Sequence, residues 1–257
     1  METLIELRKR LNAANTRELR VLCQGTAPNP ARESKVGLFA RFFSIYFTRL
    51  FIWLGMNPTQ VCALGAFTFF IGISLFIFNH YIVNFIALFL VFLSIVFDCC
   101  DGEVARFKNM AGVLGSMYNE PVSHDIMYGW MFLPIGLGLY LTGSSPIFIV
   151  LAAIAGISKL LYRGLEIRFW NLVHDRKDRS EIDNMKESYK KKRAGVRFVY
   201  WINKNLFSST GVFLGMLVFA PFYRMDLYII FYAVGFFSLW ILLFVKQIYT
   251  IEKQNII

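Results

Sequence analysis

Apolar runs of membrane-crossing length recur along most of this chain, and no other feature limits its fold so severely. A bilayer core about 30 Å thick takes about 20 apolar helical residues, and inside it every backbone N–H and C=O must be bonded within the segment. Runs of this kind cover Thr59 to Phe78, Ile82 to Arg106, about Val113 to Leu141, Ile147 to about Leu165, about Leu206 to Phe222, and the stretch after Arg224-Met225-Asp226 up to about Val245. Asn79-His80 and Gly143-Ser144-Ser145-Pro146 read as tight turns between them. A hydrophobic content of 56% and a mean hydropathy of +0.51 exclude an ordinary soluble domain. The expected fold is an all-α integral membrane protein with six transmembrane helices.

Residues 1–57 form a basic head that does not read as a cleavable signal. Leu4, Leu7 and Leu11 recur at helical spacing within Met1 to Arg20, and a loop follows over Cys23 to Glu33. Val36 to Leu54 then alternates aromatic and basic residues, among them Phe39, Arg41, Phe42, Phe43, Tyr46, Phe47, Arg49, Phe51 and Trp53. An amphipathic helix of that make-up lies in the membrane interface, rings toward the acyl chains and guanidinium groups toward phosphates. Gly55-Met56-Asn57-Pro58-Thr59 breaks the chain, and Pro58 suits the first turn of the next helix. Residues 58–247 form the transmembrane domain, with a basic loop over about 166–205, and 248–257 form a tail.

Charge orients the whole. With six crossings, all of the 27 Lys and Arg except Arg224 fall on one side. Cationic loops stay cytoplasmic, so both termini, the basic loop and the end of the second span are expected at the cytoplasmic face of the cytoplasmic membrane. The run Tyr189-Lys190-Lys191-Lys192-Arg193 suits anionic membrane lipid. The basic residues flank membrane segments and carry no nucleic-acid-binding fold, so nucleic acid is not an expected partner. Cys23, Cys62, Cys99 and Cys100 have neither metal-type nor disulfide-type spacing.

The second span ends in Asp98-Cys99-Cys100-Asp101-Gly102-Glu103-Val104-Ala105-Arg106, directly after an apolar run. Of 17 acidic residues, Asp98, Asp101, Glu103, Glu120 and Asp125 lie in or between the second and third apolar runs, and the other twelve sit in the head, the basic loop, a short outer loop and the tail. Asp98 and Asp101, three apart, share one helix face. Ionisable groups in such a place are expensive and imply a function. Carboxylates gathered there repel one another unless something positive joins them, and a hard divalent cation with oxygen ligands does so best.

This stretch resembles the motif of the CDP-alcohol phosphotransferase (CDP-alcohol phosphatidyltransferase) family of integral membrane enzymes, Asp-x2-Asp-Gly-x2-Ala-Arg-x8-Gly-x3-Asp-x3-Asp. Asp98, Asp101, Gly102, Ala105 and Arg106 match its first half, and Gly115 falls where the family has its next glycine. The entry Asn57-Pro58-Thr59, the six-span plan and the interfacial helix are also similar, so the resemblance covers about residues 36 to 245. The second half departs. A strict count places the last two aspartates at Asn119 and Ser123. One residue further stand Glu120 and His124, again four apart, with Pro121 between them. The second register is favoured, because a loop absorbs one extra residue cheaply whereas a metal site losing two charges is weakened.

The resemblance implies transfer of a substituted phosphate from a CDP-alcohol donor to an acceptor hydroxyl, with release of CMP. It implies Mg2+ or Mn2+ held by Asp98, Asp101, Glu120 and His124. It also implies nucleotide binding along Asp98, Asp101, Gly102, Ala105 and Arg106, with Asn57 and Thr59 at the entry to the first span. Imidazole titrates near ~6.5, so His124 is an expected general base at neutral pH; alternatively His124 completes the metal shell and Glu120 is the base. Lys159 and Arg163, four apart on the fourth span, are expected to hold a phosphate on the acceptor or to anchor the span at the cytoplasmic face. Gly211-x3-Gly215 permits close helix packing within a protomer or in the homodimer that the resemblance favours. The competing reading is a degenerate relative that binds nucleotide without turnover, as scaffold or sensor. A solute transporter fits poorly, because the polar residues cluster at one membrane face and not at midplane.

Overall fold

The structure is a computed structural model that describes residues 6, 7, 9, 35–108, 120–176 and 205–253. Among them every regular element is helical: α1 (Lys35–Trp53), α2 (Pro58–Ser74, continued by a 3-10 turn over Leu75–Phe78), α3 (Tyr81–Phe107), α4 (Glu120–Trp130), α5 (Leu133–Leu141), α6 (Ile147–Arg176), α7 (Ser209–Phe219) and α8 (Met225–Lys253). Four stretches are long and apolar enough to cross a membrane: Pro58–Phe78, Tyr81–Phe107, Ile147–Val173 and Met225–Glu252. The chain divides into two compact units, Met1–Phe76 with Ile82–Met127, and Ile77–Tyr81 with Tyr128–Ile257.

In the first unit α2 starts where the sequence places it. Asn57 is the N-cap, Pro58 occupies the first turn, and the Asn57 N–H donates to Gln60 Oε1 at 2.8 Å. Gly72 allows α2 and α3 to meet closely, since a Cβ there would stand 2.9 Å from Leu90 Cβ and 3.0 Å from Val91 N. α1 packs on the same core. Ala40, Phe51, Val61, Val96, Phe97, Cys100 and Val104 are buried together, with the rings of Phe47 and Phe51 edge-on to Phe97, both at 5.3 Å. Leu7 packs with Ile45, Ile52 and Phe107; the rest of the expected helix over Met1 to Arg20 lies outside the described residues, apart from Glu6 and Lys9.

In the second unit, α5, α6, α7 and α8 surround an aromatic core of Phe132, Phe207, Tyr228, Tyr232 and Phe236. Gly215 is consumed inside the chain: a Cβ there would meet the Tyr232 ring and hydroxyl, and Tyr232 Oη donates to the carbonyls of Leu206 and Gly211, both at 3.0 Å. Three turns meet at one end. Asn79 Nδ2 donates to Thr142 Oγ1 at 2.8 Å, and Tyr223 Oη donates to the Asn79 carbonyl.

Some element limits differ from expectation. The described part of the third run is two helices, α4 and α5, broken at Met131-Phe132, with Pro134 in the first turn of α5. Pro121 is the second described residue of α4, and residues 109–119 before it lie outside the described residues. α6 continues past Leu165 to Arg176, and α8 past Val245 to Lys253. Helical backbone needs only its own ladder to continue, so polar side chains end an apolar run without ending the helix.

Candidate active site

At about 100° per residue, Asp98, Asp101, Gly102, Ala105 and Arg106 fall within one arc of α3 of roughly 140°. The whole first half of the motif thus lines one face. Asp98 is open, its side chain 44% exposed. Asp101 accepts a hydrogen bond from the Gly102 N–H. The missing side chain of Gly102 leaves room for the Arg106 guanidinium, whose Nη1 lies 3.3 Å from where a Cβ would stand. The motif therefore presents two carboxylates and, one turn further on, a guanidinium laid over bare backbone.

The second motif segment comes to this face. His124 Nε2 lies 2.9 Å from Asp98 Oδ1. Ser123 turns instead to Cys62 of α2, Oγ to Sγ at 3.5 Å, and both Asp98 and Asp101 act electrostatically on that thiol. Of the two candidate registers, His124 is the member that meets Asp98. Asn119 and the side chain of Glu120 lie outside the described residues.

The hard oxygen donors of Asp98 and Asp101 suit Mg2+ or Mn2+. Among the described residues no group of three His, Cys, Asp or Glu side chains could hold a metal ion; of the expected ligands Asp98, Asp101, Glu120 and His124, the Glu120 side chain lies outside the described residues.

Glu103, next to the motif carboxylates, has a different destination. It is buried, 7% exposed, and accepts from Ser44 Oγ at 2.7 Å and from Thr48 Oγ1 at 2.6 Å. Cys100 Sγ adds a contact to the Ser44 carbonyl at 3.4 Å. One carboxylate thus ties α1 to the helix that carries the motif. The sequence held a signal for this: Ser44 and Thr48, four apart, are hydroxyls on a helix otherwise aromatic, aliphatic and basic.

Asn57 and Thr59 are exposed at the start of α2, Asn57 as its cap. Lys159 and Arg163 belong to the second unit. Lys159 is buried, donates to the Phe207 carbonyl at 2.7 Å, and lies 4.9 Å from the ring centres of both Tyr128 and Phe236. Arg163 lies 5.4 Å from the Tyr128 ring centre. Lys159 is thereby committed to the chain that leads into α7, a packing role the sequence did not signal.

No protein-family model matches this chain, and no curated protein matches it.

Proposed function

We propose that the protein is a metal-dependent phosphotransferase of the CDP-alcohol type, moving a substituted phosphate from a CDP-alcohol to an acceptor hydroxyl in phospholipid or related phospho-glycoconjugate synthesis. The observation that carries this reading is the 2.9 Å contact of His124 with Asp98, which joins the departing second half of the motif to the matching first half. The proposed placement is six crossings, with α4 and α5 together making the third and α7 the fifth. α1 lies in the interface, and both termini and the Asp98 face are cytoplasmic. The hydrogen bonds among the Asn79, Thr142 and Tyr223 turns support it, because six crossings put all three turns on one side.

In the proposed reaction an acceptor oxygen attacks the phosphorus bearing the alcohol. The new P–O bond forms as the bridging P–O bond to the cytidine phosphate breaks, and the hydroxyl proton passes to a base. A divalent ion held by Asp98, Asp101 and Glu120 would neutralise the crowded pyrophosphate charge. Asp98 fixes the His124 ring through Nε2, which places the imidazole beside the carboxylates to accept the proton or to orient Glu120 for that task. Arg106, lying over Gly102, supplies fixed positive charge to phosphate oxygens. A nucleotide-binding relative without turnover is the second reading, resting on Asn119 and Ser123 at the strict positions of the motif's last two aspartates.

Purified protein in detergent–lipid micelles, given Mg2+ or Mn2+ and a panel of CDP-linked alcohols with hydroxyl acceptors, is expected to release CMP from at least one pair. Asp98→Asn and Asp101→Asn should each abolish release, and His124→Ala should lower it by about 10²-fold or more, while Ser123→Ala retains it. Cytidine nucleotide binding with no CMP release from any pair would transfer the case to the second reading. Unchanged binding in both aspartate variants, with and without chelator, would remove both.

A further inference from the structure

Asn84 sits in the first turn of α3, in a segment of membrane-crossing length. It is 1% exposed, and among the described residues neither its Oδ1 nor its Nδ2 has a hydrogen-bond partner. A buried amide left in that state is strongly unfavourable. Ala87, Leu88 and Val91, at helical spacing from Asn84, share its buried face of α3. That face meets Gly72 of α2, where a Cβ would stand 3.0 Å from Val91 N and 3.2 Å from the Ala87 carbonyl oxygen. α2 carries a second polar gap beside this contact. Where it passes into the 3-10 turn at Leu75, the N–H groups bond to the carbonyls of Ile71 and Ile73, so the ladder steps over the buried Gly72. The carbonyls of a helix point toward its C-terminus, and α2 and α3 run antiparallel through the Asn79-His80 turn. The Gly72 carbonyl is therefore directed along the hairpin toward the level of Asn84.

We infer that Asn84 and the Gly72 carbonyl form a site for internal water, one or two molecules enclosed between α2 and α3. Nδ2 needs an acceptor, whereas Oδ1 and the Gly72 oxygen both need donors. Lipid chains supply neither. A direct bond between Asn84 and Gly72 leaves the need half met, because a carbonyl takes Nδ2 and gives nothing to Oδ1. Water both donates and accepts, and a buried water makes about three hydrogen bonds to groups of this kind. It accepts from Nδ2 and donates to the Gly72 oxygen and to Oδ1. The helix end completed in this way is the one that delivers the chain to the Asn79 turn, which Thr142 and Tyr223 hold from the far side. The site is independent of the reaction proposed above.

Solid-state NMR of the full chain in lipid bilayers, with nitrogen-15 in the asparagine side chains, tests this with water itself as the probe. The Asn84 Nδ2 signal is the one lost in Asn84→Leu or, should that variant not fold, in Asn84→Ser. It should take up polarisation from water as strongly as the exposed Asn57 does. Its exchange with deuterium should nevertheless be slower than that of Asn57 by on the order of 10-fold or more, since replacing enclosed water needs a local opening. Absence of polarisation from water overturns the site, the amide then being dry or bonded to protein. Polarisation with exchange as fast as that of Asn57 also overturns it, because Asn84 then faces bulk solvent. Thermal unfolding gives an independent reading wherever Asn84→Leu folds. That variant should melt no higher than wild type, because the Gly72 oxygen loses its donor together with the amide. A midpoint several degrees higher would mean that a dry, unpaired amide had been relieved, and that result overturns the site as well.

Discussion

At the residue scale, the acidic stretch splits into two jobs that its sequence runs together. Asp98 and Asp101 stand on the open motif face, and Glu103, two residues on, is buried against the hydroxyls of Ser44 and Thr48. Removing a buried acceptor leaves its donors to find others, and Ser44 Oγ already reaches the Arg41 carbonyl at 3.1 Å. Glu103→Ala is therefore expected to destabilise by about 1–3 kcal/mol, and Glu103→Gln, which keeps one acceptor oxygen, by less. Thermal unfolding of the micelle-solubilised protein reads the difference; equal midpoints for wild type and Glu103→Ala would show that the clamp contributes nothing. The motif face was legible in advance because three- and four-residue spacing fixes a direction on a helix. Charge balance favours the register of His124 over that of Ser123, and the contact of His124 with Asp98 is the observation that bears on it. Glu103 was visible as an acid in apolar surroundings, but its partners lie 55 and 59 residues away, and periodicity names a face without naming what meets it.

At the element scale, close approach separates the glycines. Gly72 lies where a Cβ would press on Leu90 Cβ and the Val91 backbone, whereas among the described residues a Cβ at Gly164 on α6 would meet nothing within 4 Å. Gly72→Ala should lower stability by about 1–3 kcal/mol through forced separation of α2 and α3. Gly164→Ala should leave it unchanged or raise it by about 0.5–1 kcal/mol, by restricting the unfolded chain. Heating both variants with wild type in one detergent checks this, and a Gly72→Ala variant as stable as wild type would contradict the packing described. The cores of the long helices were readable from apolar runs, and the start of α2 from Asn57 and Pro58. Their far ends were not, because the hydropathy signal stops at Lys159, Arg163 and Glu166 while the backbone of α6 goes on to Arg176. Pro134 stands in the first turn of α5, just after the break at Met131-Phe132, where a proline displaces no hydrogen bond.

At the scale of the whole molecule, the charge pattern and the joined turns make one topological claim. A reporter fused at Ser145 should be outside the cytoplasm and one inserted at Asn184 inside; both on the same side would end the six-crossing reading. Arg224, the one basic residue off the cytoplasmic side in that reading, is paired with Asp226 through two contacts of 3.1 Å. The joined turns also set a schedule. Asn79 and Tyr223 both hold positive φ, +40° and +57°, a conformation that costs a tyrosine about 1–2 kcal/mol, and the partners of Asn79 lie 63 and 144 residues downstream. At ~5–20 residues per second of synthesis, Tyr223 follows Asn79 by roughly 7–30 s. Part-way through that interval Thr142 emerges and takes the Asn79 side chain, but the Asn79 carbonyl waits for Tyr223, so a ribosome that stalls before Tyr223 leaves a nascent protein whose earliest turn is held by its side chain alone.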